Sequence, residues 1–585
     1  MSVKQKHFKV EQPEQPEQLE EPIQPEQINQ PGQANQPAKQ QPNEPYQQNS
    51  GGSQEETQVG RSAAMMSFLV IVSRITGFFR TWGQSFALGA GMVASCYSVA
   101  NNLPNQLYEI VVGGMLVTAF LPVYMSVKRK EGSKGASRYT SNLVSIVVLL
   151  MGIVAVLGFI FAAQLIWTQS FSATEEFDSS FATYLFRFFV IEVVLYSLSS
   201  IFSGVLNAER DYFWSTASSI FNNFVTTASF LLYAALVNVN PGLATVILAI
   251  GNPLGVAVQV IVQMPSLKKH GIHLTWHIDW HDPNLKDTLT IGVPSLVVMI
   301  TSFVQTSFQQ STALSVTVSG ASVAYYARLW YTLPYAILAV PITTAMFTEL
   351  SDSFAHNDMT SYKRQISSGV SEILFFMVPM SVLLIVFSVP LTSIVAAGKF
   401  TEEQLYMTVV YLCGLALALP FYGTCMYQQK ICSSMRQMVL YAVSSCIGTL
   451  LQVVLLTFFT PYQLGELASL FWVAFTSCLF FAVVDLVNFI SIRHKLGPLG
   501  LRSVAVSFVK SLALGVVGGL VGGLILWLCN AYLGDCSGHV LQSILYCVLG
   551  GIPALVVTYG LAIATHMPEA RFVKSALKRL TRRRG

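Results

Sequence analysis

Apolar residues in this chain arrive in long blocks, such as Val144–Leu165, and that feature removes most of the folds otherwise open to it. A helix of about twenty apolar residues spans the roughly 30 Å hydrocarbon core of a bilayer. Lipid offers the backbone no water, so every N–H and C=O must pair internally, which leaves helices or closed barrels. Barrel strands would alternate in polarity over about ten positions, and these blocks do not. Charge agrees: 11% of the 585 residues are charged and 52% are hydrophobic, where soluble domains carry about 25% charged residues. The expected fold class is an all-α polytopic membrane protein.

Fourteen spans are expected, near residues 62–88, 93–126, 142–167, 181–206, 214–237, 242–265, 288–314, 320–350, 369–397, 404–427, 438–460, 467–491, 504–529 and 540–565. The basic residues support an even number. The two ends of the chain and every second connection hold 28 of the 34 lysines and arginines. The opposite connections hold only Lys399, while Arg74, Arg80, Arg187, Arg328 and Lys510 lie inside spans. Basic loops stay cytoplasmic, so both termini are expected on the cytoplasmic side of the membrane. Residues 1–60 have another composition, with Gln, Pro, Glu and Asn dominating Glu11–Gln58. With almost nothing apolar to bury, they are expected to form a disordered cytoplasmic tail rather than a cleavable signal.

The chain also repeats itself. "SFLVIVSRITGFFR" at Ser67 is similar to "SLVVMITSFVQTSF" at Ser295, and Leu103-Pro104 returns 230 residues later as Leu333-Pro334. Two six-span lobes are therefore expected, at 61–266 and 288–492, joined by an interfacial connector at 267–287. Six is even, so both lobes share one orientation, with a substrate site between them. Residues 503–567 add two spans, and 568–585 form a basic tail whose Arg582–Arg584 should lie on anionic headgroups.

Arginine inside a span needs a partner or a wet cavity, because a charge at a helix centre costs roughly 2.5–3.5 kcal/mol on insertion scales. Arg74 and Arg80, about 9 Å apart along the first helix, and Arg328 in the eighth span are candidate substrate ligands. Arginine grips phosphate with two parallel bonds and keeps its charge, which suits a diphosphate clamp. The competing reading has them snorkel to the interface or pair with Glu109 or Glu192. Pro104 and Pro122, with Gly113 and Gly114 between them, and Pro334 and Pro341 should bend two spans at matching repeat positions. Pro104, Asn105, Glu109, Gly113, Gly114 and Pro334 are accordingly candidates for a gate or cavity wall, against the plainer reading of a fixed kink.

Arg187 and Glu192 are expected to serve a structural ion pair with a neighbouring helix. Gly515, Gly519 and Gly523, with Gly518 and Gly522, offer a small-residue face for close helix packing or a groove for a lipid tail. His270, His273, His277 and His281 have a metal-like spacing, but Trp276 and Trp280 among them point to a segment at headgroup level. No metal or cofactor is expected. The nine cysteines form no CxxC pair and read as packing residues, with Cys529 and Cys536 the two that a loop could bridge. GxxxxGK[ST], GxSxG and HExxH are all missing, so a transporter rather than an enzyme is expected.

Several segments resemble the MurJ (MviN) family of lipid II flippases in the MOP transporter superfamily. They are "SRITGFFR" (Ser73–Arg80), "LPNQLYEIVVGGMLVTAFLPVY" (Leu103–Tyr124), "SGVLNAERDYF" (Ser203–Phe213), "IDWHDPNLKDTLTIGVPSL" (Ile278–Leu296) and "YYARLWYTLP" (Tyr325–Pro334). The resemblance covers residues 61–567. It implies a cationic central cavity in which Arg74, Arg80 and Arg328 match the family's essential arginines, and a lipid-tail groove from the last two spans. Three positions depart from the pattern: Ser95 and Tyr108 stand where an aspartate and an arginine are usual, and Gly113 where a glutamate follows. No acid matches the sodium-binding carboxylates that some relatives carry in spans 7 and 11.

The expected function is a flippase for a polyprenyl-diphosphate-linked precursor, lipid II first. The alternatives are a flippase for another lipid-linked oligosaccharide, a cation-coupled multidrug exporter, and a scaffold that moves nothing. An exporter would want acids in the cavity, and Glu109 is the only candidate in the matching region. The N-terminal tail is a candidate docking site for cell-wall synthesis proteins, and no nucleic acid is expected as a partner. A positive empty cavity would be drawn back to a negative cell interior at about 2.3 kcal/mol per charge per 100 mV, without a dedicated ion site. The topology is directly testable. Reporter fusions after Lys134, Lys268 and Arg436 should report cytoplasm, and fusions near Glu175 and Asp535 the outside. A cytoplasmic signal at Asp535 would break the fourteen-span arrangement.

Overall fold

Every regular element among the described residues is a helix, as backbone pairing in lipid requires. A computed structural model describes residues 51–110, 120–571 and 574. Residues 1–50, Gly113, Gly114 and Arg582–Arg584 lie outside them. The larger of two compact units begins at Val59. Helix α1 (Gly51–Leu88) starts inside the segment expected to be disordered, so residues 51–60 are helical rather than tail. Extending a nucleated helix costs far less than starting one, and Ser53–Gln58 contains neither proline nor glycine to stop it.

α2 (Met92–Tyr108) and α3 (Leu121–Ile160) follow, and α3 is broken at Gly132, whose φ of 67° turns the chain within the basic segment Lys128–Lys134. Next come α4 (Ala162–Ser170), α5 (Ser179–Phe189), α6 (Glu192–Ala208), α7 (Tyr212–Leu236), α8 (Pro241–Ile261) and α9 (Met264–Lys269). They bury two aromatic-rich clusters, one around Tyr97, Phe186, Phe189 and Phe230, the other around Phe120, Tyr124 and Phe202. The second half comprises α10 (Pro283–Val316), α11 (Gly320–Pro334), α12 (Val340–Ala355), α13 (Met359–Val386), α14 (Ser388–Val395), α15 (Glu402–Ala416), α16 (Leu419–Ser434), α17 (Met438–Phe458) and α18 (Glu466–Leu496). These enclose a single larger cluster that includes Tyr362, Phe375, Tyr411 and Tyr427. α19 (Leu501–Leu533) and α20 (Val540–Ala564) complete the fold, with α19 packed on α13.

Ten helical stretches among the described residues are long and apolar enough to cross a membrane, and the α15–α16 pair, bent by 49°, makes eleven. α1, α2 and α10 occupy the places expected for the first, second and seventh spans but fall outside that number. α2 is described for only 17 residues, short of a full span, while α1 and α10 interleave polar residues with apolar ones, Arg74 and Arg80 in the first and Gln309 and Gln310 in the second.

The eighth span changes helix type where its prolines require it. α11 ends at Pro334, a π-helical turn runs from Tyr335 to Ala339, and α12 starts with Pro341 in its first turn. Proline cannot donate to the ladder, and the wider turn takes up the mismatch. π-type turns also flank the undescribed stretch after Pro104, at Glu109–Ile110 and Phe120.

The connector is extended at His273–Asp279 and zipped along α3. Ser137, Ser141 and Ser145 accept the backbone N–H groups of His273, Thr275 and His277 at 3.0, 3.2 and 3.1 Å, and Asn142 accepts that of Asp279 at 2.7 Å. Four helical residues rise about 6 Å and two extended ones about 6.6 Å, so the two repeats nearly match. Trp276 and Trp280 are 68% and 56% exposed. The histidines diverge: His270 pairs with Asp211 at 3.3 Å and Glu209 at 3.9 Å, away from the zipped segment.

One other expectation, the ion pair of Arg187, is corrected. Arg187 makes no ion pair among the described residues; its guanidinium lies over the Phe159 ring, 5.6 Å from the centroid. Cys529 and Cys536 are both buried and free, and burial pushes the Cys536 thiol up.

The glycines of α19 serve both faces of that helix. A Cβ on Gly515 would lie 2.8 Å from Pro379 Cα, and one on Gly519 2.9 Å from Val382, both on α13. A Cβ on Gly518 would collide with Thr558 Oγ1 and approach the Ala554 carbonyl of α20. Gly518→Val should therefore destabilise the protein by about 1–3 kcal/mol through overpacking, read as a lower Tm in detergent. Gly560→Ala, at a position with nothing within 4 Å, should leave Tm unchanged.

Candidate functional site

A polar stripe inside an apolar bundle has to face something other than lipid. α2 presents Ser98, Asn101, Asn102 and Asn105, spaced three, one and three residues apart, which is one face of a helix. α10 presents Gln309 and Gln310, and α11 presents Ala321, Ala324, Tyr325 and Arg328 at the same helical spacing. These faces, with Tyr411 of α15, enclose a cavity of about 590 Å³. A second compartment of about 1240 Å³ shares Gln309 and Arg328 with the first and extends past Gln305, Thr332, Tyr422, Tyr441 and Phe481 to Glu109. The cleft thus lies between the first half of the chain and the second.

Arg328 sits where the two compartments meet. Its guanidinium donates to Gln309 Oε1 at 2.8 Å, and Gln309 Nε2 donates onward to Ser477 Oγ at 2.8 Å and to the Val473 carbonyl at 3.4 Å. The amide fixes one side of the guanidinium and leaves other N–H groups facing the cleft. An arginine held in this way can bind an anion with two parallel bonds.

Arg80 and Arg74 line neither compartment. Arg80 turns into the first half, where it donates to Asn252 Oδ1 at 2.9 Å. Asn252 Nδ2 in turn lies 2.9 Å from Glu192 Oε1 and 2.5 Å from Asn101 Oδ1. Glu192 is fully buried, and an unpaired carboxylate there would be costly, so the nearest cation is drawn toward it. Asn101, which lines the cleft, reaches Arg80 only through the shared Asn252 amide. Arg74 is exposed on α1. Of the gate candidates, Asn105 lines the first compartment and Glu109 the second, while Pro104 is buried within α2 and Pro334 ends α11. Gly519 and Gly523 line a separate apolar groove of about 870 Å³ against Val382 and Val386 of α13, and Gly515 packs directly on α13.

One end of the cleft is sealed by neutral hydrogen bonds between the halves. Ser85 Oγ donates to the Val395 carbonyl at 2.7 Å, Tyr326 to the Gly89 carbonyl at 2.8 Å, and Ala90 N–H to Gln404 Oε1 at 3.0 Å. Ser95, where the family resemblance implies an aspartate, donates to Ser322 Oγ at 3.1 Å. Tyr108, where an arginine is usual, packs its ring 6.2 Å from that of Tyr196.

Sequence reasoning missed Asn101, Asn102, Gln309 and Gln310, though their helical spacing was a usable signal. Asn252 offered none, since its role depends on partners 60 to 172 residues away.

Fold and cleft define a class: all-helical, multi-pass membrane transporters built around a polar cavity between two halves. The profile of the lipid II flippase MurJ family matches residues 85–541, and the chain belongs to that family. It is 26% identical to the probable lipid II flippase MurJ of Buchnera aphidicola subsp. Schizaphis graminum over 353 residues, 60% of this chain and 67% of that one. With the corresponding protein of Borreliella burgdorferi it shares 23% over 420 residues, 71% and 81% of the two chains. A solved lipid II flippase MurJ in an inward closed conformation superposes with a TM-score of 0.66 at 18% identity, covering 86% of this chain and 99% of that one. An inward-facing MATE-family multidrug transporter of the MOP superfamily gives 0.60 at 13% identity, covering 73% and 98%.

Asn252→Ala should lower stability by about 1–3 kcal/mol for each buried group it leaves unpaired, here Arg80, Glu192 and Asn101. Thermal unfolding followed by tryptophan fluorescence reads this out, and an unchanged Tm would overturn the network.

Proposed function

We propose that the chain translocates lipid II, the polyprenyl-diphosphate-linked peptidoglycan precursor, across the bacterial inner membrane by alternating access. The observation that carries this reading is Arg328, held by Gln309 at the junction of a wide hydroxyl- and amide-lined cleft. A diphosphate with an attached sugar needs a fixed positive charge, neutral hydrogen-bonding groups around it, and room. The apolar groove beside Gly519 and Gly523 supplies a lipid-like surface on which the polyprenyl tail can stay while the headgroup enters. The two core-bearing halves, 61–266 and 288–492, act as the moving lobes, and α19 and α20 belong to the tail groove.

In this reading both termini are cytoplasmic, so the sealed end at Gly89 and Gln404 faces outward and the cleft receives cargo from the inner leaflet. Arg328 supplies the principal charge. Arg80, linked to Asn101 through Asn252, and Arg74 add positive charge from the first half when the lobes rearrange. The empty carrier is cationic, and a negative interior favours its return to the cytoplasmic side. Residues 1–50 serve as the recruiting tail for cell-wall synthesis proteins.

Complementation of a depleted strain tests the assignment, with lipid II accumulating on the cytoplasmic face as the readout. Arg328→Ala should abolish flipping, and Arg328→Lys should retain part of it, since lysine keeps the charge but has no planar fork. Full complementation by Arg328→Ala would remove the clamp and favour a scaffold that moves nothing.

A further inference from the structure

Asp485 stands in the middle of α18, two turns beyond Ser477, and has no basic side chain within 4 Å among the described residues. The Thr424 hydroxyl of α16 donates to Asp485 Oδ2, while Asp485 Oδ1 is buried without any partner. An intramembrane acid that is neither paired nor exposed marks a functional site by default, because a fixed charge there would be poorly tolerated. The surrounding groups do not neutralise it. α16 presents Thr424, Cys425 and Gln428, and α17 presents Tyr441, whose hydroxyl lies 3.3 Å from Cys425 Sγ. Gln428 donates to the Asp485 backbone carbonyl at 3.3 Å, and its Oε1 is taken by Asn488 at 2.9 Å. α10 and α15 meet α18 nearer Val473–Ser477, through Gln309 and Gly414, neither of them titratable.

Access comes from the cleft. Its larger compartment is walled by Met426 and Gln429 of α16, Tyr441 and Ser445 of α17, and Phe480 and Phe481 of α18, the residues that flank Asp485 on all three helices. Gln428, bonded to the Asp485 backbone carbonyl, is the sequence neighbour of Gln429 in that wall, and Tyr441 in that wall touches Cys425, the neighbour of Thr424.

We propose that Asp485, with Thr424, is a proton-binding site of the second half, and that its loading and release couple flipping to a pH gradient. A proton from cleft water adds to the unpartnered Oδ1, leaving a neutral acid that α16, α17 and α18 can keep buried; opening of the helices to the other side returns the proton to water. A sodium ion fits poorly, since it needs several oxygen ligands. The site offers the carboxylate and one hydroxyl, with the Gln428 oxygen already committed. The coupling, though not the proton site itself, rests on the flippase reading.

The test uses the full chain in proteoliposomes, with valinomycin and potassium clamping the potential, an imposed pH gradient and fluorescent lipid II as cargo. Difference infrared spectra of the same protein on a pH step provide a readout independent of cargo. The expected result is a protonated-carboxyl band that disappears in Asp485→Asn and shifts in frequency in Thr424→Val, where the acid remains without its hydroxyl donor. The gradient-dependent part of flipping should be lost with Asp485→Asn. Persistence of the band in Asp485→Asn, gradient dependence equal to wild type, or full replacement of the pH gradient by a sodium gradient would each overturn the proposal. If the band behaves as expected and wild type moves no lipid II, the proton site stands and the cargo reading falls.

Discussion

A polar group removed from water into hydrocarbon must find its partner inside the protein, and this requirement organises the molecule at each level. For the backbone it leaves helices, with π-type turns where Pro334 removes a donor. For side chains it produces two internal networks, one centred on Asn252 and one on Gln309. In both, a charged group is met by a primary amide. That choice follows from the inventory of asparagine and glutamine, which carry an acceptor oxygen and two donor hydrogens on one planar group. Asn252 accepts from Arg80 while it donates toward Glu192 and Asn101, and Gln309 accepts from Arg328 while it donates to Ser477 and Val473.

The two networks have different consequences. Arg80 and Glu192 compensate each other across an amide inside the first half, so that charge is largely spent on cohesion. Arg328 has no carboxylate within 4 Å among the described residues, and its charge is available to the cleft. The same residue type becomes structural in one half and anion-directed in the other. What separates the outcomes is the presence of Glu192, a fully buried carboxylate in the first half. In the second half the corresponding acid is the half-buried Asp485, one of whose oxygens is buried and the other met by a hydroxyl rather than a cation.

The sealed end of the cleft is made of neutral hydrogen bonds among Ser85, Gly89, Ala90, Ser95, Ser322, Tyr326 and Gln404. Each such bond has a net worth of about 0.5–1.5 kcal/mol, so the seal as a whole is within reach of the binding energy of one large ligand. Ion pairs in the same place would be harder to part, because each separated charge would have to be accommodated in a low-dielectric gap. Ser95 in place of an aspartate keeps this contact neutral.

The fold class, the family and the small-residue face of α19 were all readable from the sequence. They depend on composition, on periods of a few residues, or on motifs contained in one segment. The tertiary structure alone decided which of three arginines meets the cleft. Arg80 and Arg328 look alike along the chain, yet one finds its partner 172 residues away and the other 19. It also decided that Asn101 and Gln309 line a cavity, that the connector lies zipped along Ser137, Ser141 and Ser145, and that Asp485 is left with one unpartnered oxygen. A sequence states each residue's capacity for charge and hydrogen bonding. Whether that capacity is consumed inside the protein or left open to a ligand depends on which distant groups the fold places within about 3 Å.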